Sequence, residues 1–147
     1  MQLIDTHSHL YAEEFDSDRA EAVERARERG VERLLLPAID SESHERLFAL
    51  ACEYPDLCRP MMGLHPTSVN DNPRWREELA LVEQYLATPP EGLNFCAVGE
   101  IGLDYYWSQE FVAQQREALL SSVVWRHAWI CPLRYIPARR GTICVIF

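Results

Sequence analysis

Four short apolar runs alternate along the chain with segments that have the periodicity of amphipathic helices. The runs occupy residues 3–10, 31–39, 59–64 and 95–98, and a helical pattern follows each of them. Strands separated by single helices pack in parallel, because each crossover helix returns the chain to the same edge of the sheet. The sequence therefore predicts an α/β protein in the order β-α-β-α-β-α-β-α.

The predicted helices begin near residues 16, 41, 73 and 109, and the last is expected to end near residue 119. Asp16 or Ser17 is suited to cap the first helix and Asn72 the third, because their side-chain oxygens accept free backbone N–H groups. Four βα units are about half of a TIM-type barrel, which typically takes ~250 residues.

Two histidines, His7 and His9, lie where the first predicted strand ends. Residues two apart on a strand point to the same side, so both imidazoles share a face with the carboxylate of Asp5. Imidazole and carboxylate together suit a divalent transition metal. A histidine pair at this spacing also occurs as ordinary surface or core residues, but active sites of parallel α/β folds lie at these strand ends. We therefore predict a metal site here.

A second candidate ligand, Glu100, follows the fourth predicted strand. A carboxylate at this position would face the two histidines across the mouth of a barrel, and carboxylates commonly bridge paired metal ions. The alternative is a solvated loop glutamate, which is the better interpretation of Glu100 taken alone. Two further histidines are weaker candidates: we expect His44 to be solvated on the polar side of the second helix, and His127 to be incidental.

Three motifs resemble signatures of the TatD family of metal-dependent hydrolases. They are DTHSHL at residues 5–10, GLHP at residues 63–66 and VGEIGLDYY at residues 98–106, and they occur in the family's order. The helix that contains QQR at residues 114–116 is also similar to the family. The resemblance covers residues 1–119 and implies an α/β fold, an incomplete (β/α) TIM-type barrel of the metal-dependent hydrolase type.

The resemblance also implies a site for two divalent metal ions, Mg²⁺, Mn²⁺ or Zn²⁺, that hydrolyses ester bonds, as in family members described as deoxyribonucleases. In it, His7 and His9 would bind the first metal, and Glu100 would be the catalytic residue that bridges both. His65, within the GLHP motif, would either bind substrate or have a structural role. Asp104 is expected to shape its loop rather than bind metal. The implied partner is DNA or another phosphodiester.

The resemblance stops after residue 119. The family continues with a strand that ends in a histidine-bearing motif, and with a further histidine and a late aspartate, none of which follows here. All 23 acidic residues lie in positions 1–117, whereas residues 118–147 contain four arginines and no acid. We interpret residues 120–147 as an atypical apolar tail, and hypothesise that it arose by a reading-frame change with early termination.

Three functions remain open on these grounds. The first is a metal-dependent hydrolase, DNase-like, with a two-metal site. The second is a catalytically inactive, truncated remnant that binds at most one metal. The third is another barrel with a histidine pair, either an amidohydrolase acting on C–N bonds or a PHP-type phosphoesterase, and the motif at residues 98–106 argues against it.

Composition narrows the partners and the compartment. The net charge is -9 and there is no lysine, which argues against a broad basic surface for nonspecific binding of nucleic acid. No apolar run approaches ~18 residues and no signal peptide is recognisable, so we expect a cytoplasmic protein without a membrane span. The five cysteines form no CxxC pair and are expected to be free thiols. The sequence does not predict the oligomeric state.

Overall fold

Strands and helices alternate through most of the computed structural model, which describes residues 3–129, 134–135 and 142–146, with side chains described from residue 3 to residue 125. The α/β order predicted from the sequence is therefore observed as far as the fourth helix. The elements are β1 (Leu3–Asp5), α1 (Arg19–Glu28), β2 (Val31–Leu36), α2 (Ser41–Glu53), β3 (Cys58–Pro60), α3 (Trp75–Ala87), β4 (Ile101–Asp104), α4 (Val112–Trp129), β5 (Arg134–Tyr135) and β6 (Thr142–Ile146), with 3-10 turns at Glu13–Phe15 and Pro66–Val69.

The first three strands form a parallel sheet in the order β1-β2-β3. The predicted fourth strand, residues 95–98, lies beside the extension of β3, where Met62 and Val98 form an isolated parallel bridge. The backbone N–H of Gly99 donates to the carbonyl oxygen of Met62 at 3.0 Å in the same place. This segment is bridged at a single residue pair and is not a continuous strand, but its parallel direction is the one predicted.

The larger of two hydrophobic clusters among the described residues lies between the parallel sheet and the helices that cover it. Burying an aliphatic side chain stabilises a fold by roughly 1.5–3 kcal/mol, so buried side chains from successive elements hold the strands and helices together. From α1 onward, successive segments supply residues with no exposed surface. Examples are Val23 on α1, Leu36 on β2, Leu47 on α2, Met62 after β3 and Val98 in the bridged segment.

Two helices begin later than the sequence predicts. The carboxylate of Asp16 does not cap α1, because it accepts hydrogen bonds from Arg19 at 2.5 Å and from Arg46 at 2.6 Å. The helix consequently starts at Arg19. Similarly, the side chain of Asn72 accepts from the backbone N–H of Arg74 at 2.9 Å, in a turn that precedes the start of α3 at Trp75.

The fourth helix is longer than predicted and continues to Trp129. The expectation that it ends near residue 119 is wrong because apolar residues lie on two faces of the helix, which hides the buried stripe. Ser122 and Trp125 continue the inward face, with 1% and 9% of their surface exposed, whereas Leu120 and Val124 are 67% and 66% exposed. No helix among the described residues is long and apolar enough to cross a membrane.

The backbone of the segment after α4 pairs with the fourth strand. β6 runs antiparallel to β4, with Gly102 opposite Cys144, and β5 pairs with the other side of β6. The edge of β4 is therefore covered by the chain itself. The side chain of His127 and the thiols of Cys131 and Cys144 lie outside the described residues, whereas Cys52 and Cys58 are free thiols, as predicted.

His44 is buried, which corrects the prediction that it is solvated. Only 3% of its surface is exposed, and its ring stacks on Phe48 and meets Tyr85 edge to face. The error was one of helical phase, because residues 44, 47 and 51 lie on one stripe of α2 and the last two are core residues. Neither ring nitrogen has a hydrogen-bond partner among the described residues.

Burial of His44 predicts an acid-sensitive fold. Desolvation lowers the pKa of His44 below 6.5, although Glu78 and Asp40 oppose the shift. Below pH 6.5 the unfolded chain therefore binds more protons than the folded chain. The free energy of unfolding consequently decreases as the pH is lowered, by at most about 1.4 kcal/mol per pH unit from this group. We expect His44→Phe to lose less stability than the wild type between pH 7.5 and 5.5 in urea unfolding of the metal-free protein. Equal losses in the two proteins would contradict this assignment.

Candidate metal centre

The segment that follows β1 places alternate side chains at the carboxyl end of the parallel sheet. The backbone N–H of Ser8 donates to the carbonyl oxygen of Leu35 at 3.0 Å, so this segment follows β2 beyond the end of β1. His7 and His9 consequently point to the same side, as their spacing predicts. Their rings meet edge to face, and their Nε2 atoms are 2.9 Å apart.

Glu100 reaches the two histidines from the segment that follows the bridge between Met62 and Val98. Its Oε2 atom lies 3.3 Å from Nε2 of His7 and 3.6 Å from Nε2 of His9. The residue is only 4% exposed, so it is not the solvated loop glutamate that was the alternative. His7, His9 and Glu100 form the one group among the described residues whose histidine, cysteine or carboxylate ligand atoms lie close enough to hold a metal ion.

The backbone around Glu100 is held by its neighbouring strands. The N–H of Glu100 donates to the carbonyl oxygen of Ala38 at 3.0 Å, and the N–H of Ala38 donates to that of Gly99 at 3.2 Å. On the other side, Gly63 packs directly against the peptide between Gly99 and Glu100. A Cβ atom on Gly63 would lie 2.6 Å from the Gly99 carbonyl carbon and 2.7 Å from the Glu100 carbonyl oxygen. The glycine of the GLHP motif therefore allows the close approach that positions Glu100.

His65 lies at the second oxygen of Glu100. Its Nε2 atom is 3.3 Å from Oε1 of Glu100, whereas its Nδ1 atom accepts from the backbone N–H of Thr67 at 3.2 Å. The side chain also caps the 3-10 turn that follows it. Because Nδ1 accepts that hydrogen bond, Nε2 carries the proton and donates to Glu100. The two oxygens of Glu100 thus face different partners.

These contacts fix the charge of Glu100. Burial alone would raise the pKa of its carboxyl group, but hydrogen bonds from His65, His7 and His9 outweigh desolvation and hold the pKa well below its usual range. The pKa of His7 is raised, mainly by its hydrogen bond to Glu100, against a lowering by burial. The site therefore favours a charged carboxylate beside the imidazoles, an arrangement that attracts a cation.

The donor set fits a divalent metal. Ligand atoms about 2.0–2.2 Å from one ion lie roughly 3 Å apart, and the separations among His7, His9 and Glu100 run from 2.9 to 3.6 Å. Two imidazole nitrogens that face each other can share only one proton, which leaves a lone pair for a cation. The Nδ1 atom of His7 is buried and has no hydrogen-bond partner among the described residues. Two imidazoles and one carboxylate suit Zn²⁺ or Mn²⁺ better than Ca²⁺, which prefers a cage of oxygen ligands.

Other candidate residues lie outside this group. The carboxylate of Asp5 accepts from the backbone N–H of His7 at 3.1 Å and is exposed. Asp104 is buried and accepts from the backbone N–H groups of Tyr106 and Trp107 at 2.7 and 3.2 Å, so it shapes its loop. His44 lies in the aromatic core described above.

One residue of the site was missed in the sequence. Tyr11 continues the alternation of residues 7 and 9, and that spacing was a sufficient signal. Its hydroxyl contacts Nδ1 of His9 at 2.7 Å and donates to the carbonyl oxygen of Pro37. Burial raises the pKa of Tyr11 far above its ordinary value of 10.0, so the hydroxyl stays protonated.

Known proteins resemble this chain in sequence and in fold. The sequence profile described as "TatD related DNase" matches residues 4–133. The Escherichia coli K12 TatD homologue YjjV, a solved structure, superposes with a TM-score of 0.76 at 29% identity, over 88% of this chain and 48% of that one. The described part of the chain is therefore an incomplete β/α barrel.

Two curated relatives show the extent of the match. The uncharacterized metal-dependent hydrolase YabD of Bacillus subtilis is 33% identical over 121 residues, which are 82% of this chain and 45% of YabD. The protein named 3'-5' ssDNA/RNA exonuclease TatD of Dickeya dadantii is 34% identical over 116 residues, 79% of this chain and 42% of that protein. The chain thus spans less than half the length of these relatives. On the profile match over most of its length, the chain belongs to the family of TatD-related DNases.

Proposed function

We propose that this chain supplies a divalent-metal site for the hydrolysis of phosphodiester bonds in nucleic acid. The observation that carries the proposal is the convergence of three donor atoms: Nε2 of His7, Nε2 of His9 and Oε2 of Glu100. The name of the Dickeya relative, a 3'-5' ssDNA/RNA exonuclease, supports a single-stranded nucleic acid as substrate. Family membership supports hydrolysis as the reaction class.

Each residue has a separate task in this proposal. His7 and His9 would hold the metal through Nε2, and Glu100 would add a negatively charged ligand, with a second metal on its other side in the two-metal form. A divalent ion bound here lowers the pKa of water and offsets negative charge on a phosphate. His65 presents its Nε2–H at the rim of the site, with 21% of its side chain exposed. We assign it to substrate binding: its Nε2–H would turn from Oε1 of Glu100 to a non-bridging phosphate oxygen when the substrate binds.

The acidic surface makes recruitment of nucleic acid depend on the metal. The chain has a net charge of -9 and no lysine, so a polyanion is repelled unless bound cations supply local positive charge. We therefore expect DNA binding to be lost when the metal is removed. A protein with a broad basic surface would instead retain nonspecific binding after chelation.

A second candidate function is a non-catalytic protein that binds one metal. It is favoured by the number of sites, since the described residues offer one three-ligand group, and a two-metal site needs further ligands on the far side of Glu100. The chain also spans less than half of its curated relatives. The two candidates differ in turnover but agree on metal binding.

Cleavage of a labelled single strand separates them. The purified chain is incubated with 5'-labelled single-stranded DNA or RNA and Mg²⁺ or Mn²⁺, beside a sample with excess chelator and beside His7→Ala. The hydrolase proposal predicts metal-dependent shortening of the strand that chelation and His7→Ala both abolish. Metal bound at one equivalent or less with no cleavage would contradict the hydrolase proposal and support the non-catalytic one.

A further inference from the structure

The buried hydroxyl of Tyr11 contacts a backbone carbonyl and a histidine, and the side chain of Ser43 also interacts with it. Tyr11 is 1% exposed, and its oxygen lies 2.5 Å from the carbonyl oxygen of Pro37 and 2.7 Å from Nδ1 of His9. The backbone beside Tyr11 is fixed as well, because the guanidinium of Arg19 donates to the carbonyl oxygens of Leu10, Tyr11 and Ala12.

The proton count of this chain of contacts has one solution. A carbonyl oxygen only accepts, so the single phenolic proton of Tyr11 is donated to Pro37. The remaining contact, between the Tyr11 oxygen and Nδ1 of His9, then requires that Nδ1 carries a proton. A neutral imidazole protonated at Nδ1 has its lone pair on Nε2. Nε2 is the atom of His9 that faces His7 and Glu100.

We propose that Tyr11 is a positioning residue that holds His9 in the Nδ1–H tautomer and so presents its Nε2 lone pair to the metal. The inference rests on the proposed function for the identity of the site, but the tautomer itself is a property of the metal-free chain. A hydrogen-bond acceptor behind a metal-binding histidine fixes both the ring orientation and the tautomer, and supports the strength of the ligand.

The partner of Nδ1 distinguishes the three histidines around Glu100. In His9 it is the Tyr11 oxygen, which makes His9 a preset ligand. In His65 it is the backbone N–H of Thr67, which places the proton on Nε2 and makes His65 a donor. In His7 it is absent among the described residues, so the His7 tautomer is free to adjust when a metal binds. His9 is therefore more firmly preorganised for metal binding than His7.

The test combines a spectroscopic and a binding measurement on Tyr11→Phe. Long-range ¹H–¹⁵N spectra of the metal-free full chain at about pH 8, above the ordinary histidine pKa, report which ring nitrogen of His9 is protonated. The His9 signals are assigned by their loss in His9→Gln. We expect the Nδ1–H form in the wild type and a mixture that includes the Nε2–H form in Tyr11→Phe. Calorimetry with Mn²⁺ or Zn²⁺ is expected to give a ten- to hundredfold weaker affinity for the variant.

Tyr54→Phe is the matched control. Tyr54 follows α2 at the opposite, N-terminal end of β3, where its carbonyl oxygen accepts from the N–H of Cys58. Removing its hydroxyl should change neither the His9 tautomer nor the metal affinity. Wild-type affinity and an unchanged Nδ1–H form in Tyr11→Phe would overturn the proposal.

The wild-type spectrum decides the question if Tyr11→Phe does not fold. An Nε2–H form of His9 in the metal-free wild type overturns the proposal, and an Nδ1–H form supports it. A wild type that binds no metal at all contradicts the proposed function, whereas its spectrum still tests the role of Tyr11. The two failures are therefore distinguishable.

Discussion

Glu100→Gln is expected to abolish metal-dependent cleavage and to weaken metal binding more than any other single substitution that preserves the size of a side chain. The amide keeps the shape of the side chain but removes its charge, and it directs either a neutral oxygen or an N–H group at His7 and His9. Losing a supporting hydrogen bond behind a ligand costs roughly 10- to 100-fold in affinity, and losing a charged ligand should exceed that range. Calorimetric titration with Mn²⁺ measures the affinity, and the single-strand assay measures cleavage.

Glu91→Gln provides the control for this substitution. Glu91 is an exposed residue in the loop after α3, so the exchange alters the net charge equally but touches nothing at the site. Its affinity and cleavage should equal those of the wild type. A Glu100→Gln protein that is folded, by its thermal unfolding, and still binds Mn²⁺ with the wild-type affinity would exclude Glu100 as a ligand.

Gly63→Ala is expected to combine a loss of stability with a loss of metal binding. The added Cβ would lie 2.6 to 2.9 Å from three backbone atoms of Gly99 and Glu100, and backbone atoms cannot move aside as a flexible side chain does. Overpacking of this kind typically costs about 1–3 kcal/mol. The peptide that must shift carries Glu100, so the carboxylate leaves its position between His7 and His65. Urea unfolding measures the first effect and calorimetric titration the second.

Gly92→Ala separates the two effects. Gly92 has a φ of +81°, where an alanine is strained, but no atom lies within 4 Å of the added Cβ. This substitution should cost about 1–3 kcal/mol of stability through the backbone alone and leave metal affinity unchanged. If Gly63→Ala lost stability but kept the wild-type affinity, as Gly92→Ala should, the close contact at Gly63 would have no role in positioning Glu100.

The strand-end motifs were predictable because two simple periodicities determine where they lie. Parallel strands place their carboxyl ends at one edge, and alternation along a strand puts His7 and His9 on one side. Those rules bring Glu100 opposite the histidines without any knowledge of loops. The contact of Gly63 with the peptide before Glu100 was not predictable, because it depends on the close approach of two strand ends that the one-dimensional pattern does not encode.

Other features were missed for reasons that lie in the side chains. His44 is polar by type but lies on the buried stripe of α2, three residues before Leu47, so its residue type led to the wrong prediction. The extension of α4 was hidden because Leu120 and Val124 are apolar and exposed, which obscured the inward stripe through Ser122 and Trp125. In both cases tertiary packing, rather than local preference, decided the outcome.

The central claim, that His7, His9 and Glu100 together bind one divalent ion, is tested most directly by anomalous diffraction from crystals of the full chain soaked in Mn²⁺. We expect an anomalous peak about 2.0–2.3 Å from Nε2 of His7, Nε2 of His9 and Oε2 of Glu100. A peak bound only by other residues, or no peak at these three atoms at saturating Mn²⁺, would contradict it.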